Sequence, residues 1–132
     1  LRYAGNRAPR AAIAAQFSLS WAVAAALVQG DLGPAAYTDE ALSDPWLRAL
    51  EARVVLEEDA ALTASGRRGA TLVVGGVTET VTRVTGDPDL PMMEEEAVAK
   101  FTRFAAPMLG EAGVARAVDA ILCGGPAEGL FG

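Results

Sequence analysis

The stretch AAQFSLSWAVAAALVQGDL, residues 14–32, carries the side chains whose types and spacing come nearest to a site. On a helix that starts near Ser18, residues 18 and 21 lie three apart and share a face. The Ser18 hydroxyl and the Trp21 indole N–H can then point together into a cleft, with Gln16 just ahead of them. Indole donates a hydrogen bond but does not titrate, so this group offers binding and shape and not proton transfer. The alternative is structural: Ser18 caps the helix and Trp21 fills the core.

The remaining titratable residues narrow the chemistry further. The chain has no histidine, which removes the commonest general base at neutral pH and the commonest metal ligand. Acid–base work would fall to carboxylates, Lys100, tyrosine or groups borrowed from elsewhere. Cys123 is the sole cysteine, so an intrachain disulfide and a cysteine-based zinc site are both excluded, in keeping with a reducing cytoplasm. Glu94, Glu95 and Glu96 are consecutive and cannot all face one side of a helix, which marks a solvated helix start. GNRAPR and SGRRGA lack the lysine and hydroxyl of a phosphate loop, and GDPD at 86–89 has too few neighbouring carboxylates for calcium. No metal and no cofactor is expected.

Eleven basic against seventeen acidic residues give a net charge of -6. The arginines are scattered, and Arg67-Arg68 is the only basic pair, so no positive stripe is available for nucleic acid. No apolar run approaches the ~20 residues that span a bilayer, so no membrane partner is expected. A length of 132 residues suits a single domain over 1–132. The first residue is Leu1 and no signal-peptide pattern follows, which reads as a piece of something longer or a trimmed terminus.

The elements that would position these residues follow from pattern. Residues 1–4 suit the tail of a strand, broken by Gly5, Asn6 and Pro9. The alanine-rich run from Phe17 to about Gln29 predicts a helix buried on most sides, capped by Ser18 or Ser20 and ended by Gly30. Pro34 and Pro45 suit the first turns of two short helices, with Thr38 and Ser43 as possible caps, and Trp46, Leu47 and Leu50 form one apolar face. ARVVLEED predicts a strand and TASGRRG a loop. ATLVVGGVTETVTRV predicts a β-hairpin turning at Gly75-Gly76, with Thr78, Thr80 and Thr82 on a solvated side. Beyond the TGDPDLP turn, Ala97, Val98, Phe101, Phe104, Ala105 and Met108 recur at helical spacing, Gly110 and Gly113 interrupt, and Val114 to Leu122 trace a further helix ended by Gly124-Gly125. The order predicts an α+β fold, a small antiparallel sheet with a β-hairpin packed against helices in two layers.

Taken together in order, these segments resemble the C-terminal domain of the MmgE/PrpD family, which includes 2-methylcitrate dehydratase, cis-aconitate decarboxylase and iminodisuccinate epimerase. NRAP before AAQFSLSWAVAAALVQGDL is similar to the family's Arg-x-Pro, phenylalanine-serine segment and following helix. AYTDEALSDPWLRALEARVVL and GDPDLPMMEEEAVAKFTRFA resemble two further family segments, and the likeness runs from Arg7 to Leu122.

The resemblance implies the α+β lid of a two-domain enzyme, typically a homodimer, whose large helical domain supplies the acid–base groups across a cleft. It implies a cytoplasmic lyase or isomerase acting on a small polycarboxylate: a proton is abstracted beside a carboxylate, followed by loss of water, loss of carbon dioxide or reprotonation. No cofactor is implied, the expected partner is the helical domain in cis or trans, and the chain alone is expected to be inactive. Trp21 stands where some members have a functional tyrosine, and Gln16 where a lysine is common. These departures leave open a non-catalytic binding, regulatory or assembly module that keeps the lid fold, or a truncated relic with an exposed apolar patch.

Overall fold

A computed structural model describes residues 4–66 and 68–124. The fold is α+β, with six α-helices, one 3-10 turn and a two-stranded antiparallel sheet among these residues. The chain divides into two compact units, residues 1–63 and 64–132.

In the first unit, helices α1 (Ala12–Gln16) and α2 (Leu19–Gln29) are separated by Phe17 and Ser18. Ser18 takes the cap of α2, its hydroxyl accepting the Trp21 backbone N–H at 3.2 Å. Gly30 ends the helix at φ 79°, a left-handed conformation that costs glycine little. Both ends thus fall where the sequence puts them. The burial does not: Ser20, Trp21, Ala24 and Ala25 are buried, whereas Leu19, Leu27 and Val28 are exposed. Alanine-rich sequence is apolar all round, and so it hides which face is covered.

A 3-10 turn at Pro34–Tyr37 leads into α3 (Asp39–Ser43) and α4 (Pro45–Arg53). Thr38 caps α3 by accepting the Ala41 N–H. Asp44, not Ser43, caps α4, its carboxylate accepting the Trp46 and Leu47 N–H groups at 2.7 and 3.1 Å. Proline at the first helical position leaves Asp44 as the cap, and Ser43 closes the preceding helix by donating its hydroxyl to the Asp39 carbonyl. On α4 Leu47 is buried and Trp46 is 64% exposed, so the predicted three-residue face loses its largest member. The core gathers Ala15, Trp21, Leu42 and Leu47, with Tyr37 and Ala41 packed against it.

The predicted strand ARVVLEED is absent. Arg53 ends α4, residues 54–59 have no regular structure, and Val55 is 79% exposed. β-branched residues favour a strand only when a neighbouring strand can pair with them, and here the Val54 carbonyl instead accepts from the Arg7 guanidinium at 2.8 Å. Gly5 and Ser18 form an isolated bridge; the strand tail expected at 1–4 otherwise falls on Leu1 to Tyr3, outside the described residues. Asp59 then accepts the Leu62 N–H and starts α5 (Ala60–Ala64), so the first residues of the TASGRRG loop are helical. Arg67 lies outside the described residues.

In the second unit, β1 (Ala70–Val74) and β2 (Val77–Val81) pair in register from Ala70 opposite Val81 to Val74 opposite Val77. The turn glycines Gly75 and Gly76 stand at φ 59° and 83°, as a tight two-residue hairpin turn requires. Thr71 and Thr80 lie opposite one another with their hydroxyl oxygens 2.9 Å apart. Thr78 and Thr80 share one face and Val77 and Val81 the other, as alternation predicts. Every residue of both strands is exposed, so both faces are open among the described residues and not one alone.

Helix α6 (Glu94–Leu122) starts with Glu96 accepting the Met93 N–H at 2.8 Å. Val98, Phe101 and Ala105 are half-buried, but Phe104 and Met108 of the predicted stripe are exposed. Gly110, at φ 66° and ψ 169°, divides the helix at the break anticipated there. Only glycine adopts that conformation readily, so Gly110→Ala is expected to destabilise the helix by about 1–3 kcal/mol. Loss of helical circular dichroism at a lower temperature than in the parent chain checks this. Gly124 follows the helix at φ 68°; Gly125 lies outside the described residues. No helix among the described residues is long and apolar enough to cross a membrane.

Candidate functional site

The structure brings Ser18 and Trp21 together at the start of α2 and leaves Gln16 on the surface at the end of α1. Ser18 is 2% exposed, and besides capping the helix its hydroxyl donates to the Asn6 carbonyl at 2.7 Å. The Ser20 hydroxyl lies 3.2 Å from it and donates to the Glu51 carboxylate at 2.6 Å. A hydroxyl has one proton. With both protons directed outward, neither is left for the contact between them, so Ser18 ties the start of α2 to Asn6 and Ser20 separately ties it to Glu51 of α4.

Trp21 has no exposed surface. Its indole N–H donates to the Ala36 carbonyl at 2.9 Å, inside the unit, and the Arg48 guanidinium lies over the ring with its carbon 6.0 Å from the centroid. The donor that could have faced a cleft is engaged within the core. Trp21 thereby fixes the backbone of the 3-10 turn and supports an arginine above it.

Glu51 was not singled out from the sequence. Its side chain is almost wholly buried, and Oε1 accepts from Ser20 and from the Ala8 backbone N–H at 3.2 Å, with the Arg7 Nε 3.9 Å away. Arg7 also holds the end of α4 through the Val54 carbonyl. A carboxylate is buried at low cost only when hydrogen-bonded and paired, and both conditions are met. The available signal was position: Glu51 lies four residues after Leu47, one turn along the same helix face. A charge on the buried stripe of a short helix marks a partner elsewhere in the fold.

Above this network lies an open cleft of about 450 Å³ lined by Ala8, Arg10, Asp39, Leu42, Ser43 and Arg48. Arg48 is fixed by donating to the Pro9 carbonyl at 2.8 Å. Ala8, on the wall, has φ 48°, the only positive φ at a non-glycine among the described residues. Such a conformation persists where its surroundings hold it, and here the Glu51 carboxylate holds the Ala8 N–H.

The second unit has a smaller cavity of about 390 Å³ beside the hairpin, where Arg68 pairs with Asp87 at 3.4 Å. At the other end of that unit Cys123 is exposed, and a hydrogen bond and the negative charge of Asp119 push its thiol pKa up. No cluster of three or more histidine, cysteine, aspartate or glutamate residues able to hold a metal occurs among the described residues.

No curated protein and no solved structure gives a significant match to the chain. The profile of the MmgE/PrpD C-terminal domain matches residues 1–123, nearly the whole sequence, and the chain therefore belongs to the MmgE/PrpD family.

Proposed function

We propose that this chain is the lid of an MmgE/PrpD-type enzyme acting on a small polycarboxylate, with the acid–base groups supplied by a helical domain in cis or trans. The observation that carries the reading is the C-terminal-domain match over residues 1–123. The whole enzyme abstracts a proton beside a carboxylate and then loses water or carbon dioxide, or reprotonates. The lid closes over the substrate and excludes water, which strengthens the electrostatic interactions inside. It works as a cytoplasmic homodimer without a cofactor. Of the three cleft candidates, Gln16 meets the ligand from the surface, while Ser18 and Trp21 act as positioning residues through the start of α2.

A second reading, a non-catalytic binding or assembly module, is favoured by one specific observation. At the place of the family's tyrosine stands an indole whose only N–H is bonded to the Ala36 carbonyl. Such a side chain cannot move a proton.

The size of the native polypeptide, read by immunoblot, and its activity towards 2-methylcitrate and cis-aconitate test the choice. A band several times heavier than 13.6 kDa with turnover of either acid is the result expected of a lid. A heavier band without turnover favours the module. A band near 13.6 kDa, with no helical partner recovered alongside it, overturns the lid reading.

A further inference from the structure

We infer that the cleft between the Ala8–Arg10 segment and helices α3 and α4 binds a small carboxylate that also carries a hydrogen-bond-donating group. The carboxylate sits on Arg10 and Arg48 and the donor on Asp39. The inference holds for a lid or a module alike, since it needs only the cleft and not the chemistry of a second domain.

Four observations converge on it. The cleft volume of about 450 Å³ lies within the ordinary range for small-molecule sites. Arg48 is held in advance, by the Pro9 carbonyl at 2.8 Å below and the Trp21 ring beneath its guanidinium, so little side-chain freedom is left to lose on binding. Arg10 is exposed and has no ion pair among the described residues, although Asp39 lines the same cleft. One lining residue, Ala8, has backbone at a positive φ whose N–H is held by a buried carboxylate, and strain of this kind collects at ligand sites.

The charges select the ligand. Two guanidiniums and one carboxylate leave the cleft with one net positive charge, which suits a carboxylate better than a phosphate dianion. Arginine presents paired N–H donors that match a carboxylate's two oxygens. Asp39 accepts but does not donate when ionised, so it repels a second bare carboxylate and rewards a hydroxyl or ammonium placed beside the first. Lactate and alanine have such a group beside a single carboxylate, and propionate is the same skeleton without it.

Nuclear magnetic resonance titration of the full chain with lactate, alanine, propionate and inorganic phosphate tests this. Saturable shifts of the Ala8 and Ser43 amides and the Arg48 Nε–H are expected with lactate or alanine, and weaker binding with propionate and phosphate. Arg10→Gln is expected to weaken binding by about tenfold or more, the order of one charge-assisted hydrogen bond. Asp39→Asn should remove the advantage of lactate and alanine over propionate. Both side chains are exposed, so neither change disturbs the core. The inference is overturned if those signals do not shift, if phosphate binds as well as lactate, or if Arg10→Gln leaves affinity unchanged. Turnover by the native protein without binding in this cleft would sink the inference and leave the lid reading standing; binding without turnover would do the reverse.

Discussion

Trp21→Ala is expected to lower the stability of the first unit by about 3–5 kcal/mol, the largest loss available to a single core substitution here. The indole is the largest fully buried side chain, and it shares the core cluster with Ala15, Leu42 and Leu47. Its removal opens a cavity in that cluster, so a cavity term adds to the lost transfer energy. The Ala36 carbonyl would also lose the indole donor. Because a domain's whole stability is of order 5–15 kcal/mol, the variant is expected to sit at the edge of folding. Trp21→Phe provides the graded version, keeping much of the ring volume and losing only the N–H bond. Urea unfolding followed by circular dichroism gives both values. Trp46→Ala is the control, since Trp46 is 64% exposed and its loss should cost less than about 0.5 kcal/mol. Equal effects at the two tryptophans would contradict the core described above.

The two tryptophans also show what a sequence can disclose. Both lie in helices, both have apolar neighbours, and nothing local distinguishes the one that fills the core from the one in solvent. What was legible was local: the Gly75-Gly76 turn, the Ser18 cap, the Gly30 stop and the break at Gly110 each depend on a few adjacent residues. Val54, Val55 and Leu56 show the opposite case. Their strand preference is real, but a strand needs a partner, and the Val54 carbonyl bonds Arg7, 47 positions away. Glu51 was hidden for the same reason, its hydrogen-bond partners lying 31 and 43 positions earlier. The cleft arginines looked merely scattered because Arg10 and Arg48 meet only after α4 folds back beside the Ala8–Arg10 segment.

Glu51→Ala is expected to cost roughly 1–3 kcal/mol, the penalty of one buried orphan, because it strands the buried Ser20 hydroxyl and takes the acceptor from the part-buried Ala8 N–H. Ser20→Ala should cost less, since Glu51 keeps the Ala8 N–H and the nearby Arg7 guanidinium. If the carboxylate and hydroxyl act as one unit, the double variant will be more stable than the sum of the single losses implies, with a coupling of about 0.5–3 kcal/mol. Additive losses would mean that the 2.6 Å contact contributes nothing of its own. The consequence reaches the cleft. Ala8 remains at φ 48° while its N–H is bonded to Glu51, and without that acceptor one of the contacts that offset the local strain is lost. Hydrogen exchange at the Ala8 amide should therefore speed up in Glu51→Ala by more than global destabilisation alone produces. Glu51→Gln, which keeps an oxygen in place to accept, should restore most of the protection. That contrast separates a carboxylate needed for its charge from one needed to hold the wall of a binding cleft.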